Sequence, residues 1–181
     1  MSLALYFFLA IFGIVAVIGI FGAFFTVDQQ TRRVVTRFGK FVRVASPGLG
    51  WKVPFIDRVS QPISLRVQQL DLTELTYTDK GTSVTIQANV QYVVDENDGS
   101  VQQAFYKLST PEGQIKSHVS SSIRAKVPQM TLEAVQKNQA EIAGHVKAEL
   151  TETMRQYGYI IADVLVTKAD PDQSVVQANN E

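Results

Sequence analysis

Cysteine is absent from the 181-residue chain. This excludes a disulfide framework and any thiolate metal site, and it fits a reducing compartment. Histidine is nearly absent too: His118 and His145 stand 27 residues apart, with neither HExxH spacing nor carboxylates at metal-ligand intervals. No metal and no cofactor is expected. Gly48-Leu49-Gly50 lacks the third glycine and the strand-to-helix setting of a dinucleotide loop, and no Walker pattern occurs. Ser120-Ser121-Ser122 falls in a helical stretch, without the strained elbow that exposes a nucleophile. These absences point away from an enzyme. Two other readings stay open: a membrane-anchored hydrolase with an unrecognised site, and a monomeric tethered binding module.

Charge is missing from the start of the chain. Residues 3–27 contain no Asp, Glu, Lys, Arg, His, Asn or Gln. As a helix rising ~1.5 Å per residue, this run would extend roughly 37 Å, enough for a hydrocarbon core of about 30 Å. A cleaved signal peptide would need a basic n-region, an apolar core of about 7–15 residues and a small-x-small cleavage site. Only Met1 and Ser2 precede the run, and it closes on Phe24 and Phe25. Residues 1–27 therefore read as a transmembrane anchor. Gly13, Ala16, Gly19 and Ala23 recur every three or four positions and line one side with small groups, which lets neighbouring helices pack closely. The competing explanation is that Gly and Ala are simply common in spans.

The net charge of zero conceals an asymmetry: residues 28–58 carry seven Lys and Arg against two acids, and residues 59–181 carry ten against fifteen. Arg32, Arg33, Arg37, Lys40 and Arg43 follow the anchor closely. By the positive-inside bias the chain is expected to be single-pass in the cell (plasma or inner) membrane, N-terminus out, with its body in the cytoplasm. The same cations are drawn to anionic headgroups by about 1 kcal/mol each near the surface. Basic charge beside the anchor and acidic charge beyond it argue against a nucleic-acid partner.

The first half of the body has β-strand patterning. Val34, Val35, Phe38, Phe41, Val42 and Val44 crowd a β-prone stretch punctuated by Gly39 and by Ser46-Pro47-Gly48. Ile63, Leu65 and Val67 alternate with polar residues, and Val84, Ile86, Ala88, Val90 and Tyr92 do so more cleanly after Asp79-Lys80-Gly81, as in an antiparallel sheet wet on one side. The second half changes period. From Pro111, Ile115, Val119, Ile123 and Val127 recur every four residues until Pro128. A longer helix is expected from the Thr131 N-cap to Tyr157, with Ile142, Val146, Leu150 and Met154 on one stripe and Gly158 as its terminator. A strand over Tyr159–Val166 ends before Asp170-Pro171-Asp172. The fold class is α+β.

Several segments carry a family resemblance: Val27-Asp28-Gln29-Gln30-Thr31, GKF at 39–41, PGLGWKVPFID at 47–57, SLRVQQLDL at 64–72, AFYKLSTPEGQI at 104–115, IRAKVP at 123–128 and YGYIIADVLVTKADPD at 157–172. In this order they resemble an SPFH (Band 7, prohibitin/stomatin/flotillin-type) domain, and the later ones are similar to its hypersensitive-induced-response branch. Beyond the anchor at 1–27, the resemblance implies a membrane-proximal β-rich SPFH1 subdomain at 28–95 and an α/β SPFH2 subdomain at 96–172. Residues 173–181 would begin a C-terminal helix, either continued in a longer protein of which this chain is a fragment or truncated in a minimal member whose assembly is open or smaller. It further implies a non-enzymatic scaffold: many copies assembling into a ring or cage that organises a membrane microdomain, with membrane-bound AAA proteases and NfeD-type proteins as partners. Plant members of the branch attach by N-terminal acylation after a Gly at position 2, whereas this chain has Ser2 and an apolar run.

The expected lipid contact is the loop around Trp51, Phe55 and Ile56, flanked by Lys52 and Arg58 and joined by Arg32 and Arg33, because Trp favours the bilayer interface and Lys and Arg reach phosphates. Against it stands a folded turn with Trp51 in the core.

Overall fold

The computed structural model describes residues 2–171; the segment expected to begin a C-terminal helix, 173–181, lies outside them. The chain divides into two compact units, Met1–Leu65 and Arg66–Glu181.

In the first unit the long apolar run is not one element. Helix α1 (Ser2–Gly22) takes most of it, but strand β1 (Phe24–Val27) takes its end. The cause is a partner strand. β1 pairs antiparallel with β4 (Gly48–Trp51), Phe24 opposite Trp51 and Val27 opposite Gly48, so ladder hydrogen bonds and β-prone Phe, Thr and Val replace a last helical turn. Among the described residues no helix is long and apolar enough to cross a membrane; the side chains of 1–5 and 15–20 lie outside that set. Of the four small residues expected to pack helices, Ala16 and Gly19 thus fall outside the described side chains. Gly13 has open space where a Cβ would stand, and Ala23 follows the helix.

Strand β2 (Thr31–Arg37) organises the rest of this unit. It pairs antiparallel with β3 (Lys40–Ala45), β5 (Asp57–Val59) and β6 (Ile63–Ser64). Val27, Val35 and Ala45 form a small buried core against which Phe25 and Val59 pack. The Phe25 ring also covers Gly50 across the β1–β4 ladder, where a Cβ would come within 2.6 Å of Phe25 Cζ. The strand expected through Val67 stops at Ser64; Leu65 is buried but Val67 is exposed.

The second unit is a three-stranded antiparallel sheet with helices on one face. The strands are β7 (Gln68–Tyr77), β8 (Ser83–Val94) and β9 (Tyr159–Pro171), in the order β7-β8-β9. All five apolar residues of the β8 alternation are buried. Helices α2 (Asp98–Lys107), α3 (Pro111–Lys126), α4 (Leu132–Lys137) and α5 (Gln139–Arg155) follow β8, with a 3-10 turn at Val127–Gln129. Both expected stripes are interior: Ile115, Val119, Ile123 and Val127 on α3 and its extension, Ile142, Val146, Leu150 and Met154 on α5. Burying each such side chain favours folding by about 1.5–3 kcal/mol.

Two differences from the sequence reading stand out. The helix expected over 131–157 breaks at Asn138, whose backbone (φ −109°, ψ 36°) leaves the helical region between α4 and α5; its start is as expected, the Thr131 hydroxyl accepting from the Ala134 amide at 3.2 Å. The second concerns pairing: the contact division falls after Leu65, within the segment expected as SPFH1. β8 pairs with β9 over nearly its whole length, so β7 and β8 share a sheet with the last strand.

Candidate functional site

Where α1 ends, the chain is fastened to the loop that follows β4. The Lys52 amide donates to the Ala23 carbonyl at 2.7 Å, and Pro54 lies 4.0 Å from where a Gly22 Cβ would stand. Sequence dictates this fastening through the β1–β4 ladder, which sets Phe24 beside Trp51.

Asp57 closes the loop from its other side. Its buried carboxylate accepts from Arg37 Nε at 2.7 Å, from Arg37 Nη2 at 3.1 Å and from the Val53 amide at 2.9 Å, while its own amide donates to the Val53 carbonyl at 3.0 Å. The Arg37 hydrogen bond, followed by that from Val53, pulls the Asp57 carboxyl down to about 2 against the opposing effect of burial. The same bond raises Arg37 above its ordinary value. Bidentate pairing of this kind fixes orientation as well as charge.

The loop held in this way presents aromatics to the outside. Trp51 is 62% exposed, which rules out a core position, and Phe55 is 91% exposed with φ at +67°. Ile56 is exposed as well. Arg43 lies over the Trp51 ring, 5.9 Å from its centroid, and its Nη2 donates to the Trp51 carbonyl at 2.5 Å. Lys52 is half-buried and Arg58 exposed. Five of the seven expected interface residues, Trp51, Lys52, Phe55, Ile56 and Arg58, therefore belong to one loop and its edge. Arg32 and Arg33 do not join them. They sit at the far end of β2, four and five residues from Arg37, or about 13–17 Å along a strand. Both are half-buried, and the Nε of each is buried without a hydrogen-bond partner.

Arg37 and Arg43, expected as headgroup cations, instead position the loop, Arg37 through its pair with Asp57 and Arg43 through the Trp51 carbonyl; the only signal was that Asp57 is the lone acid between residues 32 and 58. Phe38, expected only as part of a β-prone stretch, is the contributor sequence reasoning missed. It forms the β2–β3 turn with Gly39, both at positive φ, and is 83% exposed.

In the second unit, His118, Ser121, Ser122, Glu149 and Glu152 line an open groove between α3 and α5. Ser122 Oγ donates to Glu149 Oε2, and His145 Nε2 stands 3.6 Å from Glu149 Oε1. The carboxylate thus lies between hydroxyl and imidazole. A nucleophile needs the imidazole in the middle, so this order does not activate Ser122. Among the described residues no group of three or more His, Asp or Glu is placed to hold a metal.

Comparison with known proteins gives a consistent result. The family model described as SPFH domain / Band 7 family matches residues 25–181, beginning inside β1. Hypersensitive-induced response protein 4 of Arabidopsis thaliana is 35% identical over 156 residues, which are 86% of this chain and 53% of that protein. The modulator of FtsH protease HflK of Escherichia coli (strain K12) is 31% identical over 159 residues, 86% of this chain and 37% of that protein. Protein HflK of Vibrio cholerae is 27% identical over 175 residues. The chain thus spans about half or less of the length of these relatives.

Proposed function

The chain belongs to the SPFH domain / Band 7 family, and from that premise we propose that it is a membrane scaffold without catalytic activity of its own. In this reading α1 anchors it in the cell membrane as a single pass, N-terminus out. Residues 28–95 form the membrane-proximal SPFH1 part and 96–172 the SPFH2 part, both in the cytoplasm, and many copies assemble to organise a membrane microdomain. The observation that carries the reading is the fastening of the Trp51–Ile56 loop to the exit of α1. A 21-residue helix is about 31 Å long, matched to a hydrocarbon core of about 30 Å. A loop tied to its end then meets the headgroup layer, where exposed Trp51 and the cations Lys52 and Arg58 are stabilised. One relative is named for modulating the FtsH protease, which supports a membrane protease as partner.

Trp51 is the only tryptophan in the sequence, so its emission reports on the loop without labelling. In the full chain reconstituted into vesicles with brominated acyl chains, Trp51 emission is expected to be blue-shifted and quenched. Unquenched, water-like emission would sink the loop reading.

A further inference from the structure

The Phe38-Gly39 turn lies outside the loop just described but shares two features with its apex. Phe38 (φ +48°) and Phe55 (φ +67°) both adopt left-handed backbone, and both are more than four-fifths exposed. Bulky side chains avoid that backbone region, and the first position of a two-residue hairpin turn favours Asn, Asp or Gly. A phenylalanine there gains nothing from the fold, since its ring reaches no core. The two aromatics are also linked. Phe38 directly follows Arg37, Phe55 precedes Asp57 by two residues, and Arg37 and Asp57 are ladder partners joined by the bidentate ion pair. That pair brings both apices to one end of the unit.

We propose that the Phe38-Gly39 turn is a second membrane contact, seated with the Trp51–Ile56 loop on the anionic surface of a phospholipid bilayer. The proposal rests on the reading of that loop as membrane-facing. Charge selects the occupant. The one acid between residues 32 and 58 is Asp57, already buried and paired. The cations near the two apices, Lys40 across the turn from Arg37 and Lys52 and Arg58 beside the loop, are complementary to phosphate and phosphatidylserine headgroups. A second copy docked by twofold symmetry would set the same cations against one another.

The test moves the single tryptophan. In the full chain carrying Trp51→Phe and Phe38→Trp, reconstituted into phosphatidylcholine–phosphatidylserine vesicles with brominated acyl chains, emission from position 38 is expected to shift blue and be quenched. Water-like, unquenched emission at 38 while Trp51 of the unsubstituted chain is quenched overturns the proposal and leaves the loop reading standing. Blue-shifted but unquenched emission means that protein covers the turn, which also overturns it. Quenching at neither position removes the loop reading and the proposal with it. As a second variant, Phe38→Asn with Trp51 retained is expected to lose part of the Trp51 quenching; unchanged quenching counts against a second contact.

Discussion

Gly158 and Phe38 occupy the same left-handed region of backbone space for opposite reasons. At Gly158 (φ +82°) a Cβ would stand 2.1 Å from the Ser100 carbonyl oxygen, so the first turn of α2 packs directly on backbone. Gly158→Ala combines torsional strain with a clash that no flexible side chain can relieve, and a loss of about 3 kcal/mol or more is expected by chemical denaturation. Phe38 has space around it and pays only in torsion. Phe38→Asn supplies the residue that a turn of this kind prefers, so a gain of about 1 kcal/mol is expected in thermal or denaturant unfolding. A variant that is more stable yet contacts lipid less well would identify Phe38 as kept for contact. Gly158 was legible as a helix terminator from its place after an apolar stripe, whereas nothing in one sequence marks an exposed phenylalanine in a β-prone stretch as exposed.

At the scale of elements, legibility followed periodicity. The four-residue stripes of α3 and α5 were plain because one face of each is wholly interior, and Ile123→Ala, at such a position, is expected to cost about 3 kcal/mol in denaturant unfolding. Helix α2 buries only Val101 and Ala104 and left no stripe to read. The Asn138 break was hidden because the apolar spacing resumes after it, and β1 was hidden because an unbroken apolar run does not distinguish a helical turn from a strand. The loop before β5 has its own pH signature. Asp57 has its carboxyl held at about 2, below the ordinary 3.8. A lowered value means that the Arg37–Asp57 pair contributes fully above about pH 4 and is lost as pH falls through about 2. Trp51 emission is expected to report loosening of the loop between those limits, and Asp57→Asn to show the loosened signal at neutral pH.

For the whole molecule, family and fold class were readable because many short segments kept their order, while the contact division was not. Pairing between β8 and β9 joins residues 65 to 87 positions apart, and no local pattern announces which strands will share a sheet. Assembly belongs to this scale as well. Light scattering on the detergent-extracted chain is expected to give a large uniform oligomer; a monomer mass would count against the scaffold reading. The late arrival of β9 bears on how the chain is made. At synthesis rates of about 5–20 residues per second, β8 emerges on the order of several seconds before the strand that completes its ladder. Through that interval the nascent chain exposes an open strand edge together with an apolar face, in a protein whose first unit can already be complete. The window in which this edge and face stand open therefore runs from the synthesis of Val94 to that of Tyr159.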